Sequence, residues 1–192
     1  MERKMRRFKQ MLPAEEAKNI LHQATNGILS LIDRDGEPYG VPLSFAYDGT
    51  DTLYFHSARA GHKIECMSAN NRASFCIVAK DEIVPEEFTS YFRSVIANGK
   101  LEIATDTPEI IKGLRLLCDK YSPGLDASAE INKCLEHVLV FKLQIETLTG
   151  KEAIELTRNC WEEDAIRLQA EEHDELLIPD VFEDEKFEDW VW

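Results

Sequence analysis

The stretch "YGVPLSFAYDGTDTLYFHS", residues 39–57, decides how the chain folds. In its first nine residues the bulky Tyr39, Val41, Leu43, Phe45 and Tyr47 alternate with the small Gly40, Pro42, Ser44 and Ala46. Successive side chains of a strand project to opposite faces, so the pattern predicts a strand with one core-filling face and one nearly flat face. Pro42 has no backbone N–H, which places the strand at a sheet edge, a bulge or an opening that faces a ligand. A flat face suits either a planar ligand or the taper of a tightly curved barrel, and the pattern alone leaves both open. Asp48-Gly49 then marks a hairpin, and "TLYFHS", residues 52–57, is the returning strand.

Outward from this segment, "GILSLID" (27–33) precedes it through the Asp-Gly turn of "DRDGE" (33–37), so the first three strands are expected to form an antiparallel meander. Further strands are expected in "ASFCIVA" (73–79), "FRSVIANGKLEIAT" (92–105) and "VLVFKLQIETLTG" (138–150). Helical spacing is found in "LPAEEAKNILHQA" (12–24), with Ala17, Ile20, Leu21 and Ala24 in one stripe. It returns in "TPEIIKGLRLLCDKY" (107–121), capped by Thr107 with Pro108 behind it, and in "DASAEINKCLEHV" (126–138). Short strands with few helices, in an order that is not βαβ, predict a mainly β fold: a small antiparallel barrel with helices on its outside.

The 192 residues suffice for one domain with a core, and residues 151–192 stand apart in composition. They hold 15 Asp/Glu against 4 Lys/Arg, a net of −11 out of the chain's −14. The expected organisation is a domain over residues 1–150 and an acidic tail over residues 151–192. A nucleic-acid partner is disfavoured, since the one basic cluster is the short "RKMRR" at residues 3–7. No apolar run approaches the length of a membrane span, and the N-terminus lacks the pattern of a secretory signal, so a cytoplasmic protein without membrane partners is expected. Five scattered cysteines without a CxxC pair fit reduced thiols, and His56 with His62 lacks a third ligand at recognisable spacing, so no metal is expected.

The chemistry concentrates after "TLYFHS". His62 and Lys63 follow Gly61 at the start of a helix read in "KIECMSA" (63–69), where unpaired N–H groups and the helix dipole favour an anion. A cation there costs about 0.3–1 kcal/mol, which a bound phosphate would offset with hydrogen bonds of about 1.5–3 kcal/mol each. The alternative is an exposed loop lysine.

The succession "PYGVPLSFAYDG…LYFHSARAGHKIECMSANNRASFCIV…RSVIANGKLEIAT" resembles the FMN-binding split-barrel superfamily, most closely its nitroimidazole-resistance branch, related to pyridoxamine phosphate oxidase. The resemblance implies a six-stranded antiparallel split barrel and a homodimer with FMN at the subunit interface. By position it implies that Val41, Pro42, Leu43 and Ser44 line the cofactor, largely through backbone atoms, and that Phe55, His56 and Ser57 end beside the flavin. His62 and Lys63 stand where the oxidases carry Ser-Arg-Lys and would hold the phosphate; Arg93, Ser94 and Val95 stand where they carry Arg-Gln-Val and would approach the flavin, in one arrangement from the other subunit. His56 matches the histidine regarded in the nitroimidazole-resistance branch as the contact for a small acceptor, with a buried structural histidine as the alternative. The oxidases end in a Trp- and Arg-bearing segment that this chain lacks. The implied function is therefore FMN-dependent reduction of a small organic acceptor, nitroaromatics included. The competing readings are a flavin- or haem-binding protein without turnover and a pyridoxamine phosphate oxidase-like enzyme.

In the tail, Ile154, Thr157, Trp161, Ala165 and Leu168 fall at helical spacing, and Phe182, Phe187, Trp190 and Trp192 add late aromatics. A helix and arm packed on the body or on a partner subunit is expected.

Overall fold

The computed structural model describes residues 8–153 apart from Glu136, so the readings of the basic N-terminal cluster and of the acidic tail lie outside the described residues. The described residues form seven strands: β1 (Asn26–Ile32), β2 (Pro38–Ser44), β3 (Ala46–Tyr47), β4 (Thr52–Ala58), β5 (Arg72–Val84), β6 (Thr89–Ile103) and β7 (Val138–Ala153). Four helices accompany them: α1 (Ala14–Gln23), α2 (His62–Ala69), α3 (Thr107–Tyr121) and α4 (Ser128–Cys134). All strand pairs are antiparallel, in the order β2-β1-β5-β6-β7-β4-β3.

The expectation of six strands is corrected to seven, and the reason is local. The strand expected over residues 39–47 is broken at Phe45: Ser44 pairs with Asn26 of β1, whereas Ala46 pairs with Tyr54 of β4. β2 and β3 are thus the two ends of the sheet order, joined by the chain through one residue and not by a hydrogen-bonded ladder. The sheet is not a closed barrel. Both Asp-Gly hairpins form as read, and β2 is an edge strand, as the missing N–H of Pro42 requires.

One apolar core gathers side chains from all seven strands. Phe45, Phe55, Phe75 and Phe141 are fully buried at its centre. Their rings meet at centroid distances of 4.9 Å (Phe45–Phe75), 5.2 Å (Phe55–Phe75) and 5.0 Å (Phe55–Phe141), within the range of favourable aromatic pairs. Truncating any one of them to alanine would cost roughly 3–5 kcal/mol. β6 and β7 slip register between Asn98 and Gly99, and a Cβ on Gly99 would lie 1.9 Å from the Gln144 carbonyl oxygen, so only glycine fits that bulge.

α1 buries the expected stripe of Ala17, Ile20 and Leu21 against this core. α3 lies on the outer face of β4 and β7, close enough that a Cβ on Gly113 would come within 2.8 Å of Tyr54 and Val140. Its cap is Asp106 and not the expected Thr107, because the Asp106 carboxylate accepts from the Glu109 N–H at 3.3 Å. Beneath the helix the Tyr54 hydroxyl donates to Glu109 at 2.6 Å and the Lys142 ammonium donates at 3.2 Å. The Tyr54 bond is the main reason that the Glu109 carboxyl titrates below its usual range in spite of burial. No helix among the described residues is long and apolar enough to cross a membrane.

Candidate functional site

The break at Phe45 leaves two strand edges unpaired. β3 and β4 pair at Ala46↔Tyr54 and Tyr47↔Leu53; continued backwards, that register would set Ser44 opposite His56 and Pro42 opposite Ala58. Those pairs do not form, because residues 38–44 pair with β1 instead. From Phe45 onward β2 and β4 therefore diverge, each with one unpaired edge. On β2 the residues Gly40, Pro42 and Ser44 are exposed, while the side chains of Val41 and Leu43 point into the core. On β4 the His56 side chain is exposed, Ser57 is buried with its hydroxyl donating to the Ala58 carbonyl at 2.8 Å, and Phe55 is sealed in the aromatic core. The side chains of Phe55, Val41 and Leu43 are turned into the core, and their backbone groups face the ladders with β7 and β1.

β4 leads through Gly61, whose φ of 125° favours glycine, into α2. No side chain caps this helix, and no acceptor among the described residues meets the His62 and Lys63 amides. The Lys63 ammonium makes no ion pair among the described residues, which leaves a cation and two N–H groups together at a helix N-terminus. His62 is differently placed. Its ring stands edge-on to Tyr39 at 4.6 Å, its Nδ1 lies 3.7 Å from a Glu65 carboxylate oxygen and its Nε2 3.7 Å from the Cys66 sulfur. The sequence brings His62 and Lys63 to one helix start as expected, yet the imidazole faces its own helix and β2. Burial pushes the Cys66 thiol above its ordinary titration range, so it is an inert packing group.

Arg93, Ser94 and Val95 are elsewhere. Arg93 pairs with Glu152 of β7, whereas His56 pairs with Val140 of the same strand, which sets the two groups about 35–40 Å of strand path apart. The Arg93 guanidinium donates to Glu152 at 2.9 Å and lies 3.8 Å from Glu16 of α1, so its charge is answered within the chain. Val95 is fully buried. The Ser94 side chain belongs to the alternate face from that of Val95.

Two residues that the sequence did not single out touch the break at Phe45. The Tyr121 hydroxyl, at the end of α3, accepts the Phe45 N–H at 2.9 Å and contacts the carbonyls of Phe45 and Thr25. The neighbouring Lys120 places its ammonium 3.9 Å from the Phe45 ring centroid and donates to the Leu21 carbonyl at 3.3 Å. Burial lowers the Lys120 pKa to about 8. A pair of residues some 75 positions from its target leaves no local pattern by which it could be found.

Comparison with known proteins defines the class. Residues 13–152 match the family model of pyridoxamine 5'-phosphate oxidase. The chain belongs to that family. Among solved structures it is similar to a Bacteroides thetaiotaomicron protein named for 5-nitroimidazole antibiotic resistance, with 27% identity, 74% of this chain and 86% of the other covered, and a TM-score of 0.65. It is also similar to a FAD-binding protein of Mesorhizobium loti, with 30% identity, 76% and 98% covered, and a TM-score of 0.55. A FAD and heme binding protein of Mycobacterium smegmatis, at 23% identity with 76% and 73% covered and a TM-score of 0.63, shares the fold. No curated protein sequence matches the chain.

Proposed function

We propose that this protein is an FMN-binding flavoprotein that reduces a small organic acceptor, nitroaromatics included. The observation that carries the reading is the pair of unpaired edges on β2 and β4, with the uncapped start of α2 and Lys63 following from β4. A planar ring fits against the small residues Gly40, Pro42 and Ser44, and a phosphate fits two free amides and a cation. The similarity to the Bacteroides and Mesorhizobium proteins supports a flavin and an acceptor of this kind. When bound, the flavin supplies the redox chemistry; the chain's residues hold and orient it and bring the acceptor to it. In this reading His56, exposed on the unpaired edge of β4, is the side chain that meets the acceptor.

The functional unit in this reading is a homodimer. Ser94 and His56 lie at opposite ends of the β7 ladder, so one flavin reaches both only if a second copy contributes one of them.

The experiment is a flavin titration followed by turnover. Apoprotein is titrated with FMN and with riboflavin by calorimetry, and tighter binding of FMN is expected. Protein reduced with dithionite is then mixed with a nitroaromatic without oxygen. Reoxidation of the flavin is expected, slower in His56→Ala, with no turnover of pyridoxamine phosphate by the oxidised protein. Equal affinity for FMN and riboflavin would remove the phosphate site, and efficient pyridoxamine phosphate oxidation would replace the acceptor assignment.

A further inference from the structure

We propose that the outer face of β2, β1, β5 and β6, together with the β5–β6 hairpin that runs on beyond it, is the surface on which a second copy of this chain docks, with Phe88 at the hairpin tip as an anchor on the partner. The inference rests on the homodimer of the proposed function and adds to it the surface that forms the dimer.

Register defines the face. Pro42, Ile28, Cys76 and Ile96 stand side by side in one row across the four strands, on the side away from the buried Leu29, Phe75 and Val95. Among the described residues no helix covers this row. α1 and α2 pack into the main core on the other side, and α3 and α4 pack over β4 and β7. Ile28 and Ile96 stay exposed, and Val78, next along the face of β5 from Cys76, is 64% exposed. None of these residues is charged. A chain of net charge −14 repels its own copy wherever charged surfaces meet. In a twofold contact one patch meets itself, so an uncharged apolar row suits a second copy, whereas a partner of opposite charge would be recognised by charges that this row does not carry.

The hairpin continues where its neighbours stop. Among the described residues β1 follows β5 as far as Cys76 and β7 follows β6 as far as Phe92, whereas β5 and β6 pair onward to Val84↔Thr89. Such a two-stranded ribbon is marginal in water by itself. Ile83 pairs with Ser90, an even number of residues before Ile96 on the same strand, so it shares the face of Ile96, and it is 76% exposed. At the turn Phe88 is 98% exposed with φ 51°, a left-handed backbone that a bulky residue rarely takes. The turn is nonetheless braced: the Tyr91 hydroxyl donates to Glu87 at 2.5 Å, and at the base of the hairpin Arg93 is held by Glu152 and Glu16. A large apolar ring presented on a braced turn is the kind of side chain that anchors an interface.

The areas agree with this division of labour. From strand spacings the face is about 19 Å wide and about 20 Å long, roughly 400 Å². A stable complex takes about 800 Å² from each partner, so the face alone falls short. A hairpin about 17 Å long and about 10 Å wide, with an aromatic that buries about 150–250 Å², brings the surface close to that size.

The test compares the full chain with two variants by sedimentation equilibrium over micromolar concentrations, each confirmed as folded by circular dichroism. Wild type is expected to be a dimer. Ile96→Glu puts a carboxylate without a partner into the apolar row and is expected to give monomers. Phe88→Ser is expected to raise the dimer dissociation constant about tenfold or more. Wild-type protein that is monomeric would overturn the homodimer and this inference with it. A dimer that keeps its wild-type dissociation constant in both variants would overturn this face and leave the homodimer standing, and one indifferent to Phe88→Ser alone would overturn the anchor. Phe88 stands in water on a turn, so its substitution leaves the fold intact and decides the matter if Ile96→Glu does not fold.

Discussion

Glu152 holds the guanidinium of Arg93 across the β6–β7 ladder, with the Arg93 Nε 2.9 Å from a carboxylate oxygen. Glu16 approaches the same guanidinium from α1 at 3.8 Å, so Arg93 joins a helix to two strands. The arginine side chain is 38% exposed and that of Glu152 is 21% exposed, which keeps the pair in a screened, partly solvated setting. Arg93→Met is expected to lower unfolding stability in urea by about 1–2 kcal/mol, part of it from stranding Glu152 beside Glu16. Flavin affinity should change by less than about threefold, since the charge already has its partners. A large loss of flavin with unchanged stability would return Arg93 to the cofactor.

Lys63 has the opposite circumstances, a cation at a helix start without an ion pair among the described residues. Lys63→Glu replaces an attraction for phosphate by a repulsion, and the loss of FMN affinity should exceed about tenfold, or 1.4 kcal/mol. Riboflavin, which has no phosphate, should bind the variant as it binds the wild type. Unchanged retention of FMN would identify Lys63 as an ordinary surface lysine.

Lys120 gives a pH dependence with a defined sign. Its pKa in the folded protein, lowered by burial to about 8, lies below the ordinary 10.5 that the unfolded chain retains. Between these values the unfolded state binds the proton and the folded state does not, so the residue's contribution makes stability rise with pH from about 8 to 10.5. Below pH 8 both states are charged and the cost of burying the ammonium is present in full. Lys120→Met removes that cost, so its stability relative to wild type should be highest near neutral pH and decline as the pH rises through this window. Urea unfolding of both proteins at neutral pH and near pH 9.5 decides it; a difference that is flat with pH would mean that the ammonium is not desolvated.

Much of this architecture was legible. The alternation in residues 39–57 and the two Asp-Gly turns specify strands and hairpins because burial of one face and turn geometry are local properties. The stripe of Ala17, Ile20 and Leu21 and the start of α2 at His62 are local in the same sense. What stayed hidden is where a continuous pattern changes partner. Phe45 continues the alternation on either side of it, and only the fold shows that residues 38–44 pair with β1 while Ala46 and Tyr47 pair with β4. The same limit applies to Arg93. Its type and position suit an anionic ligand, and only the fold brings Glu16 and Glu152 to it.

The separation of Ser94 from His56 along β7 makes the proposed dimer testable by mixing. Ser94 pairs with Lys151 and His56 with Val140, about 35 Å of strand apart, so a site that uses Ser94 and the Lys63 helix draws on two copies. Lys63→Glu and Ser94→Trp should each impair both sites of their own homodimer, one at the anchor and one by filling space beside the ring. Unfolded together and refolded in equal amounts, half of the dimers are mixed. In a mixed dimer one site combines both substitutions and the other combines neither. About one quarter of all sites should therefore recover wild-type FMN affinity, a number fixed by twofold symmetry. Light scattering at micromolar concentration establishes the dimer beforehand. If each chain builds a complete site alone, every site keeps one substitution, and mixing recovers nothing.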